Sequence, residues 1–505
     1  MHIYNGKESK LWDEFTLTDQ GLFSWDLMER ASKKLTEKIL DIYPDMDLHF
    51  YVIVGPGNNG GDGLAIARML SEQFRSVCVI LLQTKGSPEY EQNLSLIKSK
   101  SSIKICNFKE FENSSLKKGI LIDAIFGNGL NRKPEGKNEK AIEYINTLDY
   151  PIISIDLPSG MIPDVLPDWE IVKATHTIMI QSVKLSALFE ECGQFYGNCH
   201  IVDIGLSRSF LKNHPSDKVY ITQTTINPFL KTRTVFSHKG AYGHAALACG
   251  SESMIGAAIL STKACLRSGA GLVTCYVPEC GYEIMQMSCP ESMCISDIND
   301  RHLKSVDIKD SFDAIGIGCG IGNNPDIRDW LIGVFKKLKG PGMVLDADAL
   351  NIISQYKIKI PEGAIITPHP KEFDRLFGPS NSGYERYLLQ VKMAKLHKIN
   401  IVLKGHYTSF VNDEGDTWFN STGNPGMACG GSGDVLTGLI TGILAQDYTI
   451  DEAVILALYI HGLAGDIAAA SLSQEAMTSM DIINHLGSAW KECHALKNSG
   501  TNIEK

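Results

Sequence analysis

The segment GNPGMACGGSGDVLTG, residues 423–438, places one aspartate near the end of a glycine-rich loop, and an apolar run follows it. Because glycine has no Cβ atom, its backbone amide can approach a ligand closely. A glycine-rich loop that leads into a helical pattern therefore predicts an anion site at a helix N-terminus. Asp434 would then lie beside the bound anion. The alternative is that Asp434 only caps the helix, since aspartate is a favoured N-cap residue.

A second glycine-rich turn, VGPGNNGGDGLAIARML at residues 54–70, lies between a strand pattern and an amphipathic helix pattern. It is neither a P-loop nor a GxGxxG turn of the usual form, and Asn58 and Asn59 add side-chain donors and acceptors among its glycines. Two later loops that follow apolar runs carry the polar residues Asp123, Asn128, Asp156 and Ser159. Each aspartate alone could be a turn residue. Three such loops at three strand ends favour one shared site.

Both halves of the chain alternate short apolar runs with polar segments of helix length, as βαβ units in parallel sheets do. The runs of the first half are FYVIVG (50–55), VCVILL (77–82), ILIDAIFG (120–127) and PIISID (151–156). Those of the second half are AALACG (245–250), LVTCYV (272–277), AIGIG (314–318), MVLDAD (343–348), AIITPHP (364–370) and NIVLKG (400–405). Ligands of open α/β sheets bind at the carboxyl ends of the strands, where the polar loops lie. A polar segment at 206–240 predicts two α/β domains, 1–228 and 229–505.

The composition excludes several classes of partner. The chain of 505 residues has a formal net charge of −10 and a pI near 5.8, so it lacks the basic face that nucleic-acid binding requires. No uninterrupted apolar run reaches about 18 residues, which argues against a membrane partner. No two of the thirteen cysteines lie closer than five positions, so no CxxC metal or redox motif exists. We therefore expect a reduced, cytoplasmic protein that acts on small molecules.

Along nearly its whole length the chain resembles the bifunctional NAD(P)H-hydrate repair enzymes. The matching motifs, in order, are DLMERAS (26–32), NNGGDG (58–63), DAIFGNGL (123–130), DLPSGM (156–161), HKGAYGHAALACGSESMIGAA (238–258), DADAL (346–350), TPHPKEF (367–373), VLKG (402–405) and GNPGMACGGSGDVLTG (423–438). The resemblance implies a Rossmann-like three-layer N-terminal domain that epimerises the R and S forms of hydrated NADH or NADPH. It also implies a ribokinase-like C-terminal domain that dehydrates the S form with ADP.

The resemblance assigns roles to the N-terminal loops. Residues implied to bind the hydrated cofactor are Asn58, Asn59, Gly60, Gly61, Asp62, Gly127, Asn128, Gly129, Leu130, Asn131, Arg132, Lys133 and Asp156. Asp156 is also the implied catalytic carboxylate near the reacting ring. A potassium ion is implied at Asn59, Asp123 and Ser159, all of which offer the oxygen ligands that a hard cation requires. The charged tail EGKNEK, residues 135–140, departs from the family pattern.

In the C-terminal domain the resemblance makes Asp434 the general base. Residues implied to contact the hydrated cofactor are Ala257, Gly320, His369 and Asp434. Residues implied to contact the adenine nucleotide, which would carry Mg²⁺, are Lys404, Gly405, His406, Tyr407, Thr408 and Gly433. For His369 the alternative is a hydrogen-bonded core histidine. Cys429 stands where the family commonly has threonine, and its thiol is the weaker hydrogen-bond partner.

The implied reaction has a clear chemical purpose. Hydroxide is a poor leaving group and phosphate a good one, so phosphorylating the C6 hydroxyl lets the ring nitrogen expel it and restores the dihydronicotinamide. One alternative is a ribokinase-like small-molecule kinase fused to a non-catalytic binding domain, and another is a first domain that only binds and scaffolds. TPHPKEF beside DADAL, together with the complete NNGGDG half, favours the repair enzyme. We expect hydrated NADH or NADPH and ADP as ligands, and a homo-oligomer.

Overall fold

The computed structural model describes residues 1–99, 102–163, 166–338, 340 and 342–500, the last three by their backbone only. Contacts between Cα atoms divide the chain into two units. The N-terminal unit comprises residues 2–216, and the C-terminal unit comprises residues 217–505 together with Met1.

The N-terminal unit is built on a seven-stranded sheet in which every described pair of strands is parallel. The strand order is β3-β2-β1-β4-β5-β6-β7. The strands are β1 His49–Val54, β2 Ser76–Leu81, β3 Lys104–Asn107, β4 Gly119–Ala124, β5 Ile152–Ile155, β6 His176–Ile180 and β7 Asn198–Val202. The helices are α1 Gly6–Gln20, α2 Ser24–Ile42, α3 Asn58–Glu72, α4 Pro88–Lys98, α5 Phe108–Glu112, α6 Lys137–Thr147, α7 Glu190–Gly193 and α8 Arg208–Asn213, with a 3₁₀ turn at Leu185–Leu188.

Helices cover both faces of this sheet. Phe50 and Val52 of β1 belong to one hydrophobic cluster with Leu64 of α3. Ile53, which points to the opposite face of the strand, belongs to another cluster with Ile142 of α6. The unit therefore has the parallel sheet predicted from its alternating strand and helix patterns, and the three layers that the family resemblance implies.

The C-terminal unit is built on a ten-stranded mixed sheet. The strand order is β11-β10-β9-β12-β13-β14-β15-β16-β17-β8, antiparallel only where β16 pairs with β15 and with β17. The strands are β8 Lys218–Tyr220, β9 His244–Ala248, β10 Leu272–Val277, β11 Met293–Ser296, β12 Ala314–Ile317, β13 Met343–Leu345, β14 Ile365–Ile366, β15 Asn400–Leu403, β16 Ser409–Val411 and β17 Thr417–Phe419.

The helices of the C-terminal unit connect these strands and complete its core. They are α9 Gln223–Ile226, α10 Ile255–Arg267, α11 Tyr282–Ser288, α12 Pro325–Lys337, α13 Asp348–Tyr356, α14 Pro370–Phe377, α15 Gly383–His397, α16 Ser432–Leu444, α17 Ile450–Leu472 and α18 Ser479–Gly500. Short 3₁₀ turns lie at Asn227–Phe229, Lys239–Tyr242, Glu279–Gly281 and Pro425–Met427. Helix α16 packs against α10, β9 and β12. Its Gly438 lies on the backbone of Ser261, where a Cβ atom would overlap the carbonyl oxygen.

The division between the units comes earlier than the boundary predicted near 228. Strand β8 pairs with β17 of the C-terminal sheet, and α9 packs against α17 and α18. Residues from 217 onwards therefore belong to the C-terminal unit. The three-residue strand β8 lies in a polar segment without strand alternation, so the sequence pattern did not reveal it.

Helix α17 is long and apolar enough to cross a membrane by length and composition. However, 72% of its most apolar 18-residue segment is buried inside the structure, as expected of a core helix. It packs against α16 and α18.

All ten strands predicted from apolar runs are present, with ends that differ by a few residues. The prediction missed the short or peripheral strands β3, β6, β7, β8, β11, β16 and β17. All seven are only three to five residues long, and such short segments give a weak periodic signal.

Candidate functional site

The N-terminal unit has a cavity of about 490 Å³ beside the loops that follow β1, β4, β5 and β6. Of the residues predicted to bind the hydrated cofactor, those that line it are Asn58, Asn59, Asp62, Gly127, Asn128, Gly129, Leu130 and Asp156. Three loops that are far apart in sequence thus meet at one edge of the sheet, as predicted.

Asp156 is held at this cavity by three donors. Its Oδ1 atom forms an ion pair with Nζ of Lys184 at 2.9 Å and accepts from the amide of Ile180 at 3.2 Å. Its Oδ2 atom accepts from the amide of Asn128 at 3.3 Å. The backbone of Asp156 has φ +65°, a conformation that non-glycine residues rarely adopt and that is concentrated at functional sites. The carboxylate is therefore fixed at the cavity wall by neighbouring loops.

Asp123 lies fully buried at the end of β4, outside the set of residues that line the cavity. Its carboxylate accepts from the Ser154 and Ser159 hydroxyls at 2.8 and 2.5 Å, and from the Ser159 amide at 2.8 Å. Burial raises the pKa of Asp123, and these hydrogen bonds oppose the rise. Within the described parts of the chain, no cationic side chain lies within 4.0 Å of this carboxylate.

The remaining predicted residues of this unit do not line the cavity. Gly60 and Gly61 serve packing, because a Cβ atom on Gly60 would overlap the Gly55 carbonyl oxygen and one on Gly61 would come 2.8 Å from the Met28 methyl group. Three residues of the predicted loop, Asn131, Arg132 and Lys133, are exposed. Lys133 pairs instead with Glu139 of the charged tail at 3.0 Å.

Sequence reasoning missed three charged residues of this cavity, Lys10, Asp13 and Lys184. Lys184 follows β6, a strand that was not predicted, and its position inside the apolar stretch SVKLSALF was an available signal. Asp13 lies in the middle of α1, where nothing in the local pattern distinguishes it from a solvent-facing helix residue.

The C-terminal unit has a cavity of about 620 Å³. Predicted residues that line it are His369, Lys404, Gly405, His406, Thr408 and Gly433. Tyr407 is not among the lining residues, and its ring contacts the rings of His406 and Tyr220. Ala257, Gly320 and Asp434 also lie outside the lining. Ala257 and Gly320 are next to each other, since a Cβ atom on Gly320 would come 2.9 Å from the Cβ atom of Ala257.

The N-cap alternative for Asp434 is wrong. Helix α16 begins at Ser432, and its N-cap is Gly431, with φ +92°. Asp434 is the third residue of the helix, in the first turn, where the helix dipole favours a negative charge. Its carboxylate contacts the Cys319 thiol, and both lie within 4.8 Å of a carboxylate oxygen of Asp346.

Asp346, at the end of β13, connects the parts of this site. Its Oδ1 atom accepts from Nζ of Lys404 at 2.8 Å, and its Oδ2 atom accepts from the Thr437 hydroxyl of α16 at 2.8 Å. Burial disfavours the charge on Lys404, but Asp346 outweighs that effect and the pKa of Lys404 is raised. In the described residues Asp434 forms no such ion pair, although the charge of Lys404 acts to lower its pKa. Burial and the charge of Asp346 together raise its pKa to about 6.

His369 is a helix cap and not a core histidine. Its Nδ1 atom accepts from the amides of Lys371 and Glu372 at 3.1 and 3.3 Å, which caps α14. Burial lowers the pKa of His369, although Glu372 opposes the shift, and a neutral ring is what an accepting Nδ1 requires. The rest of the ring faces the cavity.

Sequence reasoning also left residues of this unit without a role. Asp346 lies in the DADAL motif, but its pairing with Lys404 joins residues 58 positions apart and has no local signal. Cys319 lies next to Asp434, and His461 lines the cavity. Cys429 contacts the Ser479 hydroxyl at 3.4 Å, and that hydroxyl donates to the Gly430 carbonyl at 2.8 Å, so the thiol supports the glycine-rich loop.

Comparisons with known proteins agree with this two-site architecture. A family model described as YjeF-related protein N-terminus matches residues 24–186, and one described as NAD(P)H-hydrate dehydratase matches residues 245–487. The bifunctional NAD(P)H-hydrate repair enzyme of Moorella thermoacetica is 30% identical over 96% of this chain and 96% of its own length. That of Coxiella burnetii is 31% identical over 93% of this chain and 95% of its own length.

Among solved structures, an ADP/ATP-dependent NAD(P)H-hydrate dehydratase from Bacillus subtilis, co-crystallised with ATP and Mg²⁺, is 30% identical. The match covers 55% of this chain and 98% of the Bacillus subtilis chain, with a TM-score of 0.48. The curated relatives carry both halves in one chain under a single name, which favours the repair enzyme over a kinase fused to a binding domain. The chain therefore belongs to the bifunctional NAD(P)H-hydrate repair enzymes, with a Rossmann-like epimerase domain and a ribokinase-like dehydratase domain.

Proposed function

We propose that Asp434 is the general base of the dehydratase. The observation that carries this proposal is the contrast between two neighbouring carboxylates. Asp346 is bound to Lys404 and Thr437, whereas Asp434 has only the Cys319 thiol and, in the described residues, no ion pair. A carboxylate with a pKa of about 6 is ionised at neutral pH and is still basic enough to accept a proton.

In this mechanism Asp434 takes the proton of the C6 hydroxyl as the hydroxyl oxygen attacks the terminal phosphoryl group of ADP. The P–O bond to AMP breaks, and C6 then carries a phosphate ester. The lone pair of the ring nitrogen expels phosphate, and loss of a proton from C5 restores the dihydronicotinamide. The amides at the start of α16 face the developing negative charge of the phosphoryl group.

The nucleotide lies, in this proposal, against Lys404, Gly405, His406, Tyr407, Thr408 and Gly433. Lys404 holds its position through Asp346 and supplies a positive charge at the cavity. Gly433 allows the loop to lie close to the lysine, since a Cβ atom placed there would come 3.3 Å from Nζ of Lys404. Mg²⁺ enters with ADP, because this ion is usually held by one or two carboxylates and the substrate phosphates. The hydrated ring lies towards Ala257, Gly320, His369 and Asp434.

The N-terminal unit, on the same proposal, epimerises the hydrated cofactor in the cavity lined by Asp156. Asp123 and Ser159 are fully buried and do not line this cavity. Together with Asn59, which does line it, they would hold potassium next to it. Their chemistry fits the ion, because all three offer oxygen atoms and the fully buried Asp123 carboxylate has no cationic partner among the described side chains. The side-chain amide nitrogen of Asn59 is also buried without a hydrogen-bond partner, and a rotated amide would present its oxygen instead.

The assembly and compartment belong to the same proposal. The thirteen cysteines are free thiols, which suits a reducing cytoplasm. A homo-oligomer is supported by exposed apolar side chains on the edge of the C-terminal sheet, namely Ile284 and Met287 of α11 and Met293 and Ile295 of β11. Neither nucleic acid nor a membrane is among the proposed partners.

The base role is tested with Asp434→Asn in the full chain. Asparagine cannot accept the proton, so the rate of dehydration of the S form with ADP should fall by about 10²–10⁴-fold. This rate is measured from the absorbance of the reduced nicotinamide that forms. ADP binding, measured by calorimetry, and epimerisation without nucleotide should persist. Asp447→Asn, the same change at an exposed position after α16, should keep wild-type dehydration.

The pH profile provides a second measurement. Because burial and Asp346 raise the pKa of Asp434 to about 6, the base is ionised above that pH and protonated below it. The wild-type rate at saturating S form should therefore fall about tenfold per pH unit below pH 6. Retention of more than about a tenth of dehydration by Asp434→Asn would reject the base role.

A further inference from the structure

The cavity of the N-terminal unit contains a carboxyl group that has no role in the function proposed above. Asp13 lies on α1 and lines this cavity together with Asp156 and Lys184. The helix is anchored on either side of Asp13, since the Trp12 indole donates to the Ser207 carbonyl at 2.8 Å and the Ser207 amide donates to the Thr16 hydroxyl at 3.0 Å. These contacts fix the rotation of α1 and with it the direction of Asp13.

Asp13 has no structural task that accounts for its position. In the described structure its carboxyl group makes no hydrogen bond and no ion pair. Partly buried polar groups normally find such partners. Burial raises the pKa of Asp13 to about 6, opposed by Lys184 and assisted by Asp156 and Glu14.

Three carboxyl groups line the cavity, and Asp62 accepts a hydrogen bond from the Ser32 hydroxyl. The other two, Asp13 and Asp156, differ in their partners. Asp156 accepts from Lys184 and two backbone amides, which hold it in place as an acceptor. Asp13 is unattached and can carry or release a proton. A pair of carboxyl groups in unlike environments is the arrangement that separates a proton donor from a proton acceptor at one site.

We propose that Asp13 is the second proton-transfer residue of epimerisation and works across C6 of the hydrated ring from Asp156. The proposal rests on the placement of epimerisation in this cavity. One carboxyl group protonates the C6 hydroxyl as the C6–O bond breaks, water leaves, and the lone pair of the ring nitrogen forms the N1=C6 bond. Water then adds to the opposite face, the N1=C6 electrons return to nitrogen, and the other carboxylate takes the proton of that water.

This step is balanced without any further reagent. One water molecule leaves and one enters, no atom is oxidised or reduced, and one proton moves from the first carboxyl group to the second. The reverse direction exchanges the two roles, which an interconversion of epimers requires.

The test compares Asp13→Asn with Glu14→Gln in the full chain. Both changes replace a carboxylate by an amide on α1, but Glu14 is exposed, pairs with Lys10 at 3.8 Å and does not line the cavity. Epimerisation of the pure R form is measured without nucleotide and corrected for the spontaneous rate. We expect kcat of Asp13→Asn to fall by about 100-fold or more with little change in KM, and Glu14→Gln to match the wild type.

Two further readouts separate a chemical role from a structural one. Thermal unfolding should show Asp13→Asn at least as stable as the wild type, because it loses no hydrogen bond. The wild-type kcat/KM should fall above about pH 6 as Asp13 loses its proton, and the variant should lose this limb. The other charged groups that face Asp13 are Lys184, Asp156 and Glu14, and the cavity also contains Lys10 and Asp62.

The outcomes are distinct. If Asp13→Asn keeps more than about a tenth of wild-type kcat, or if its pH profile is unchanged, Asp13 is not the proton-transfer residue. If Glu14→Gln loses as much, the effect belongs to α1 in general and the proposal fails. Dehydration of the pure S form by the same variant must stay at the wild-type rate. If Asp156→Asn also epimerises normally, the placement of the reaction in this cavity fails instead.

Discussion

The two units each begin a helix with a glycine-rich sequence, but the glycines are there for different reasons. At the start of α3, NNGGDG fills its space completely. A Cβ atom on Gly60 would overlap the Gly55 carbonyl oxygen, and one on Gly63 would come 2.5 Å from the Cβ atom of Ala124. At the start of α16, GGSGD is open at its first glycine, with no atom within 4 Å of a Cβ on Gly430, although a Cβ on Gly431 would come 2.4 Å from Leu260.

The surrounding charges differ as well. The buried carboxylate nearest the start of α16, Asp346, is paired with Lys404, whereas Asp123 behind α3 has no cation in the described residues. Glycine in α3 therefore allows the helix to lie close to the sheet, and the nearby Asp123 carboxylate suits a metal ion. Glycine in α16 allows the loop to lie close to a fixed lysine. A glycine-rich turn on its own does not distinguish these two functions.

The sharpest way to break this comparison is to add one methyl group to each helix start. Gly60→Ala should destabilise the N-terminal unit by more than about 3 kcal/mol, because the backbone of Gly55 must move. Gly430→Ala should leave stability within about 1 kcal/mol of the wild type. Thermal unfolding followed by circular dichroism, with epimerisation and dehydration assayed separately, measures both. Equal stability of the two variants would show that the glycines of α3 do not serve packing.

A smaller effect should follow from the unpaired Asp123 carboxylate. Potassium that binds the folded N-terminal unit should stabilise it by about 2 kcal/mol near saturation, relative to choline at equal ionic strength. Asp123→Asn should abolish this potassium dependence, and Asp149→Asn, an exposed position in the same unit, should retain it. The measurement is unfolding of each variant in the two salts. A wild-type protein equally stable in both would remove potassium from the site.

The smallest effect concerns the close approach of Gly433 to Lys404. Alanine there would come 3.3 Å from Nζ of Lys404, which is proposed to contact the nucleotide, and 3.7 Å from Asp346. Gly433→Ala should weaken ADP binding about tenfold, equivalent to about 1.4 kcal/mol. The fold should be unaffected, since alanine is the better helix former by about 1 kcal/mol. Calorimetry with ADP decides the matter, and unchanged affinity would place the phosphates elsewhere.

The sequence predicted the parts of each site that belong to long, regular patterns. Ten apolar strands and the loops after them were identified, and these loops bring Asn58, Asn128 and Asp156 to one cavity. Strand β6 was missed, and so was Lys184, which follows it. A short apolar run becomes a strand only if it pairs with other strands, and these lie far away in the sequence. The side chain of Asp13 could not be placed, since its direction is set by contacts of Trp12 and Thr16 with Ser207.

The same limit explains why the N-cap alternative for Asp434 stayed open. Aspartate near a helix start has a high N-cap preference, but the left-handed backbone of Gly431 begins the helix earlier. That conformation depends on the packing of Gly431 against Leu260 and Ser479, which no local pattern reports. Pairings such as Lys404 with Asp346 also depend on tertiary structure.

The carboxyl groups of Asp13 and Asp434 form no ion pair in the described residues, and this affects how the stability of the protein depends on pH. Burial raises the pKa of each from 3.8 to about 6, so the folded chain binds these protons more tightly than the unfolded chain does. Their contribution to the free energy of unfolding is fully present below about pH 4 and is lost as the pH rises to about 6. Above that pH each ionised group lowers the free energy of unfolding by roughly 2–3 kcal/mol. Most paired carboxylates have the opposite dependence. Replacing either residue by its amide should therefore give a chain that is inactive in one unit and yet more resistant to heat at neutral pH.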